Sequence, residues 1–259
     1  MQKPLILVTN DDGITAPGLK ALVRFMKEIG DVVVVAPDSP QSGQGHAITL
    51  DHALFSTKMP TDKENEGHLE YSCSGTPADC VKLGLQEILD RRPDICVSGI
   101  NHGSNSSINV IYSGTMSAAI EAGIEGIPAI GFSLCDFSWN ANFEPAKEAI
   151  IKIVKSALNN GIPKGVVLNV NIPKLEEKEF TGIKICRQAR ANWKERFDKR
   201  TNPMGREYYW LTGEFELLDK GEDTDEHALS KGYISVVPTQ FDLTAHHAIQ
   251  GLNDWNLHE

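Results

Sequence analysis

The sequence contains no C-x-x-C pair, no long apolar run and no block of lysine and arginine. Each absence removes a class of function. Five cysteines, at 73, 80, 96, 135 and 186, make an odd number, and Cys73, Cys96 and Cys135 lie in apolar, strand-like runs. Buried free thiols in a reducing compartment fit this pattern better than disulfides or a zinc site. No stretch approaches the length of a membrane span, and the apolar run after Met-Gln-Lys-Pro is too short for a signal-peptide core. A soluble, cytoplasmic protein without membrane association is expected. The formal net charge of −10, with no basic tract, argues against gripping a nucleic acid polymer. The same charge repels small phosphate esters at long range. A site for them would need local positive potential from a metal or from helix N-termini.

What is present suits one large α/β unit. The chain has 259 residues, 41% of them hydrophobic, enough for a sizeable core. Leu5-Ile6-Leu7-Val8 and Val32 to Val35 read as strands buried on both faces, as in parallel sheets. Further strands are expected at Leu69 to Ser74, Asp94 to Ser98, Ile127 to Ser133 and Val166 to Val170. Helices are expected at Pro17 to Ile29, Pro77 to Leu89, Gly114 to Ala122 and Pro145 to Leu158. This alternation predicts a Rossmann-like, doubly wound, mostly parallel sheet, with ligands at the carboxyl ends of its strands. After about residue 180 the rhythm breaks, and charged and aromatic residues dominate from Arg187 to Glu216. The expected organisation is a single unit over 1–259. Residues 1–180 form its core, and about 181–259 form a protruding extension of β-hairpin and short helix.

Several polar segments fall at the expected carboxyl edge. Asn10-Asp11-Asp12-Gly13 follows the first strand. Taken alone it reads first as a polar turn, and second as two adjacent carboxylates whose repulsion a divalent cation would offset. Pro37 to His46, rich in Ser and Gly, leaves the same edge and is either an ordinary connection or a source of the Ser42 hydroxyl. Ser98 to Asn105 brings the Asn101 amide oxygen to that edge. Two carboxylates, a hydroxyl and an amide oxygen form an all-oxygen set that suits Mg2+ or Mn2+ better than zinc. His102 is read as a solvated neighbour and left out of the set. Tyr112-Ser113-Gly114-Thr115 opens a helix of small residues. Its free N–H groups and the hydroxyls of Ser113 and Thr115 could hold a phosphate, or Ser113 could be a plain N-cap. Thr76 and Asp79 form a capping box with Pro77 at the first helical position, so Asp79 is read as structural.

These segments, with Ser-Gly-x-Gly at 42–45, Gly-Thr-Pro-Ala-Asp-Cys at 75–80 and Ser-Gly-Ile-Asn-x-Gly-x-Asn at 98–105, occur in the order seen in SurE proteins. Tyr208-Tyr209-Trp210, Thr224-Asp225 and Gly232 to Pro238 extend the resemblance over nearly the whole chain. One departure is Asn202-Pro203, where the family has Asp-Pro. The resemblance implies a phosphatase for nucleoside 5'-monophosphates, and often 3'-monophosphates. It implies one divalent cation per subunit held by Asp11, Asp12, Ser42 and Asn101, with Asp11, Asp12 and Asn101 serving catalysis. It further implies a homodimer or homotetramer assembled through the C-terminal part. Two other readings compete. A non-catalytic nucleotide-binding module is opposed by the carboxylate pair standing where a G-x-G-x-x-G would be. A phosphatase using Asp11 as nucleophile is opposed by adjacent rather than Asp-x-Asp spacing.

Overall fold

The computed structural model describes residues 3–60, 67–174, 179–255 and 257. Its strands are β1 (Leu5–Thr9), β2 (Asp31–Pro37), β3 (Ser56–Lys58), β4 (Leu69–Cys73), β5 (Ile95–His102), β6 (Ala129–Leu134), β7 (Val166–Ile172), β8 (Gly182–Ile185), β9 (Ala191–Thr201), β10 (Glu207–Leu217) and β11 (Tyr233–Gln240). Its helices are α1 (Pro17–Met26), α2 (Pro77–Leu83), α3 (Gly114–Ile124), α4 (Lys147–Asn160), α5 (Asp225–Ser230) and α6 (His246–Asn253). Of the eleven strands and α-helices from β1 to β7, ten follow the expected alternation, and the short β3 is added between β2 and β4. The segment expected as one helix over 77–89 is α2 followed by a wider π-helical turn, Gly84–Ile88.

The described residues form a sheet of order β3-β4-β2-β1-β5-β6-β7-β11-β8. From β4 to β7 the pairs are all parallel, while β3 and β11 run antiparallel to β4 and β7. Period-two alternation in the buried strands divides the core into two layers. Ile6, Val8, Val32 and Val34 pack with Leu19, Leu22, Ile150 and Val154 of α1 and α4. Leu5, Leu7, Val33 and Val35 face the other way, toward Val81, Met116 and Ala119 of α2 and α3. Covering both faces is what lets these strands be apolar throughout.

The strand order reverses at β1. The chain winds outward from β1 through β2 to β4, then crosses to β5 on the other side of β1. Loops leaving β1 and β5 therefore diverge at their carboxyl ends and open a crevice, the usual ligand position in such sheets.

Residues beyond 180 divide between two surroundings. β11 and β8, which fall within the extension expected over about 181–259, join the main sheet. Outside it stand α6 and the β9–β10 hairpin, paired from Ala191↔Leu217 to Thr201↔Glu207. At the hairpin tip the Asn202 side-chain oxygen accepts the N–H groups of Met204 and Arg206, both at 3.0 Å. The family's Asp could accept the same pair, so the departure at this position leaves the turn intact.

Candidate active site

The turn after β1 is built around Asn10, whose amide donates to the Gly13 carbonyl at 3.0 Å. Gly13 has φ of +96°, and its carbonyl also receives the Ala16 N–H at 3.0 Å. Asp11 and Asp12 project from this turn. Asp11 is buried and accepts the Thr115 hydroxyl at 2.5 Å. Its carbonyl takes the Gln41 N–H at 2.8 Å, which brings the β2–β3 loop alongside. Asp12 is half-buried and accepts the backbone N–H of His102, at the end of β5, at 3.2 Å.

α3 approaches from the other side. A Cβ added at Gly114 would lie 2.7 Å from Asp11 Cβ and 2.9 Å from its Oδ2, so glycine is what allows the helix start to meet this carboxylate. Of the first-turn N–H groups, Met116 donates to the Ser113 hydroxyl at 3.0 Å and Ser117 to the Ser113 carbonyl at 3.0 Å. Those of Gly114 and Thr115 remain, as the start of a helix requires. Ser113 is thus an N-cap. The Thr115 hydroxyl turns inward to Asp11, which leaves the N–H of Thr115, and not its hydroxyl, at the open start of the helix.

Ser42 is exposed one residue beyond the Gln41–Asp11 bond. Asn101 donates its amide to the Gly103 carbonyl at 2.8 Å, which leaves its Oδ1 to accept or ligate. β5 shifts register against β6 between Ser98 and Asn101, so Asn101 pairs with Ser133 at the sheet's edge. The fold thus gathers Asp11, Asp12 and Asn101 at the carboxyl ends of the adjacent strands β1 and β5, with the Ser42 loop beside them.

Electrostatics suit a cation here. Burial pushes the Asp11 carboxyl up to about 6, with Asp12 adding to the rise and the Thr115 hydroxyl opposing it. Burial raises Asp12 as well, against the His102 N–H. Two adjacent carboxylates that both resist ionisation call for a positive charge. Among the described residues no group of three or more His, Cys, Asp or Glu could hold a metal. An ion at this place would combine two carboxylates with neutral oxygens, which is hard-cation chemistry. The residues present fit such an ion.

His102 differs from its sequence reading. Its ring is stacked 5.3 Å from Trp139, lies edge-on to Phe143 at 5.2 Å and bonds the Ser138 carbonyl through Nδ1 at 2.8 Å. It is packed rather than solvated, and it serves Asp12 through its backbone. Asp79 is the expected capping box with Thr76, and it also receives the Thr49 N–H at 3.1 Å and the Thr49 hydroxyl at 2.6 Å.

A buried amide network beside Asn101 escaped sequence reading. Asn171 Oδ1 accepts the Asn105 N–H at 2.8 Å, Asn169 donates to the Asn105 carbonyl at 2.9 Å, and Asn105 donates to Ser133 at 2.8 Å. Buried Asp225 accepts the N–H groups of Ser107 at 2.8 Å and Ala189 at 2.9 Å, which ties the C-terminal part to the loop after β5. A signal existed: Asn169 and Asn171 sit two apart in an apolar strand, on one face of it, where polar groups need partners.

Residues 6–195 match the sequence profile of the family described as Survival protein SurE. The 5'-nucleotidase SurE of Christiangramia forsetii is 71% identical over 258 residues, covering 100% of this chain and 99% of the relative. That of Flavobacterium psychrophilum is 67% identical and covers 100% of both chains. The crystal structure of the SurE protein from Aquifex aeolicus superposes with a TM-score of 0.83 at 41% identity, covering 98% of this chain and 100% of that one. With its fold, its motifs and its relatives in agreement along the whole length, the chain belongs to the SurE family.

Proposed function

We propose that this chain is a 5'-nucleotidase, hydrolysing nucleoside 5'-monophosphates, and 3'-monophosphates as well, to nucleoside and phosphate. The observation that carries the mechanism is the contact of the α3 start with Asp11. It brings a helix start, whose free N–H groups would suit an anion, against a carboxylate pair that would suit a cation. Asp11, Asp12, Ser42 and Asn101 would hold one Mg2+ or Mn2+ per subunit. When bound, that ion supplies positive charge to the phosphoryl oxygens and Lewis acidity toward water. The protein supplies the rest. The N–H groups of Gly114 and Thr115 receive other phosphoryl oxygens and orient the group for in-line attack. Thr115 holds Asp11 in one rotamer by its 2.5 Å bond, and the His102 N–H restrains Asp12. A helix start contributes about 0.3–1 kcal/mol to an exposed anion and about 2 when partly buried. Orientation is therefore its main service, and the ion carries most of the charge compensation in a chain of net charge −10.

The same reading makes the protein a homodimer or homotetramer. The β9–β10 hairpin leaves Phe197, Tyr209, Trp210 and Leu211 more than half exposed, an aromatic surface of the kind enriched at interfaces. Free cysteines at all five positions suit a cytoplasmic compartment. Among the described residues no helix is long and apolar enough to cross a membrane. The test is phosphate release from a panel of nucleoside 5'- and 3'-monophosphates, in EDTA and after add-back of Mg2+ or Mn2+. Release that persisted undiminished in EDTA, or that favoured no nucleotide over a simple phosphate ester, would overturn the proposal.

A further inference from the structure

α3 reads Gly-Thr-Met-Ser-Ala-Ala-Ile-Glu-Ala-Gly-Ile, and a single carboxylate interrupts its small and apolar residues. That residue, Glu121, is 3% exposed and lies two helical turns past Gly114, on the same face. The mechanism above does not use it. Both of its oxygens are engaged from other elements. Lys82 of α2 reaches Oε1 at 2.5 Å, and His46 of the β2–β3 loop reaches Oε2 at 2.8 Å. Two partners are what a buried carboxylate needs to remain charged.

The loop that carries His46 is the one bearing Ser42. It is bracketed by the Gln41 N–H on the Asp11 carbonyl at 2.8 Å and by the Thr76 hydroxyl on the Ala47 carbonyl at 2.7 Å. Between these brackets, Gly43 and Gly45 adopt φ of +74° and +57°, and a Cβ at Gly43 would meet nothing within 4 Å. Such a stretch has little to hold it. Between the brackets, its hydrogen bonds to the body among the described residues are the Gly45 N–H on the Tyr112 carbonyl at 3.2 Å and the His46–Glu121 pair. Both lead to the segment that opens α3 or to α3 itself. One loop therefore joins the cation side of the site, through Ser42, to the phosphate side, through Tyr112 and α3.

We propose that Glu121, acting through His46, is a positioning residue: it clamps the Ser42 loop onto α3 and so sets the spacing between the cation donors and the helix start. The proposal rests on the reading of Ser42 as a cation donor.

The test uses the metal-free full-length chain titrated with Mn2+ by calorimetry, with amide exchange followed over residues 42–47 and thermal melting alongside. His46→Ala, at an exposed position, should weaken Mn2+ binding about tenfold, the scale of losing an outer partner of a metal ligand. It should also speed exchange at Gly43 to Gly45. His46→Gln, which can still donate to Glu121, should return affinity to within about twofold of wild type by the same reasoning. Glu121→Ala, which leaves His46 no group to bond, should behave like His46→Ala, and His46→Ala carries the test should that variant not fold. A lower melting temperature with unchanged Mn2+ affinity and unchanged exchange would overturn the proposal and leave a plain stability contact. Asp12→Asn separates the two readings. If it loses Mn2+ while His46→Ala does not, the clamp is wrong and the metal site stands. If Asp12→Asn binds like wild type, the metal site falls and the clamp with it.

Discussion

Gly114→Ala sets two physical readings against each other with opposite signs. If Gly114 only opened a helix, alanine would favour α3 by up to about 1 kcal/mol, since glycine is the poorer helix former. Its φ lies outside the left-handed region, so alanine meets no backbone strain there. The neighbouring carboxylate reverses the sign. The added methyl would stand 2.7 Å from Asp11 Cβ, 2.9 Å from Oδ2 and 3.1 Å from Cγ, where ordinary contact begins at 3.4 Å. Either α3 or Asp11 must give by about 0.7 Å, and forced insertions of this kind cost about 1–3 kcal/mol. Asp11 has little room to yield, being 4% exposed and held by Thr115 at 2.5 Å. A displacement approaching 1 Å at a reacting centre costs on the order of 100-fold in rate. Gly114→Ala should therefore lower kcat/KM for a nucleoside monophosphate by about 10- to 100-fold, with weaker Mn2+ binding and a lower melting temperature. Gly114→Val should be worse on every measure. Steady-state kinetics, calorimetry and thermal melts decide the matter. An alanine variant that melts higher than wild type and keeps its turnover would refute the contact argument, and α3 would be an ordinary capped helix.

Other outcomes follow from the same geometry. Asp11→Asn and Asp12→Asn should each sharply reduce Mn2+ affinity by calorimetry, whereas His102→Ala should do far less, because the bond to Asp12 comes from its backbone; equal losses in all three would return the imidazole to the site. Burial holds the Asp11 carboxyl near a pKa of about 6, above its ordinary 3.8, so the folded chain keeps this proton more tightly than the unfolded one. Its stabilising contribution is full below about pH 4 and is lost as pH rises to about 6, and metal-free wild type should lose about 3 kcal/mol relative to Asp11→Asn across that window. Urea melts in EDTA check this, and parallel profiles for the two proteins would contradict it. Joining Ala191 to Leu217 through a short turn removes the hairpin while leaving β8 and β11 in the sheet. The shortened protein should stay folded and run as a smaller species in light scattering. An unchanged oligomeric mass would move the interface elsewhere.

Local pattern was enough to reveal the alternation of strands and helices, because buried parallel strands must be apolar on both faces and helices on one. It also placed Asp11, Asp12 and Asn101 on one edge, since parallel strands all end on the same side of a sheet. Pattern did not separate β8 from the extension, because an edge strand such as Gly-Ile-Lys-Ile mixes charge with apolar residues and resembles the exposed hairpin that follows it, and nothing local in β11 says that it returns antiparallel to β7. Which strands become neighbours is decided by how the helices fill the two faces, and no local window carries that. The β1–β5 crevice thus exists only in the assembled sheet. The meeting of Gly114 and Thr115 with Asp11, about a hundred residues away, is likewise tertiary, as is the pairing of Glu121 with His46. The sequence by itself determined that a carboxylate pair would stand at a strand's carboxyl end and that a helix would open at Ser113. Only packing could decide that the two would touch, because a contact between distant segments depends on the shapes of everything that fills the space between them.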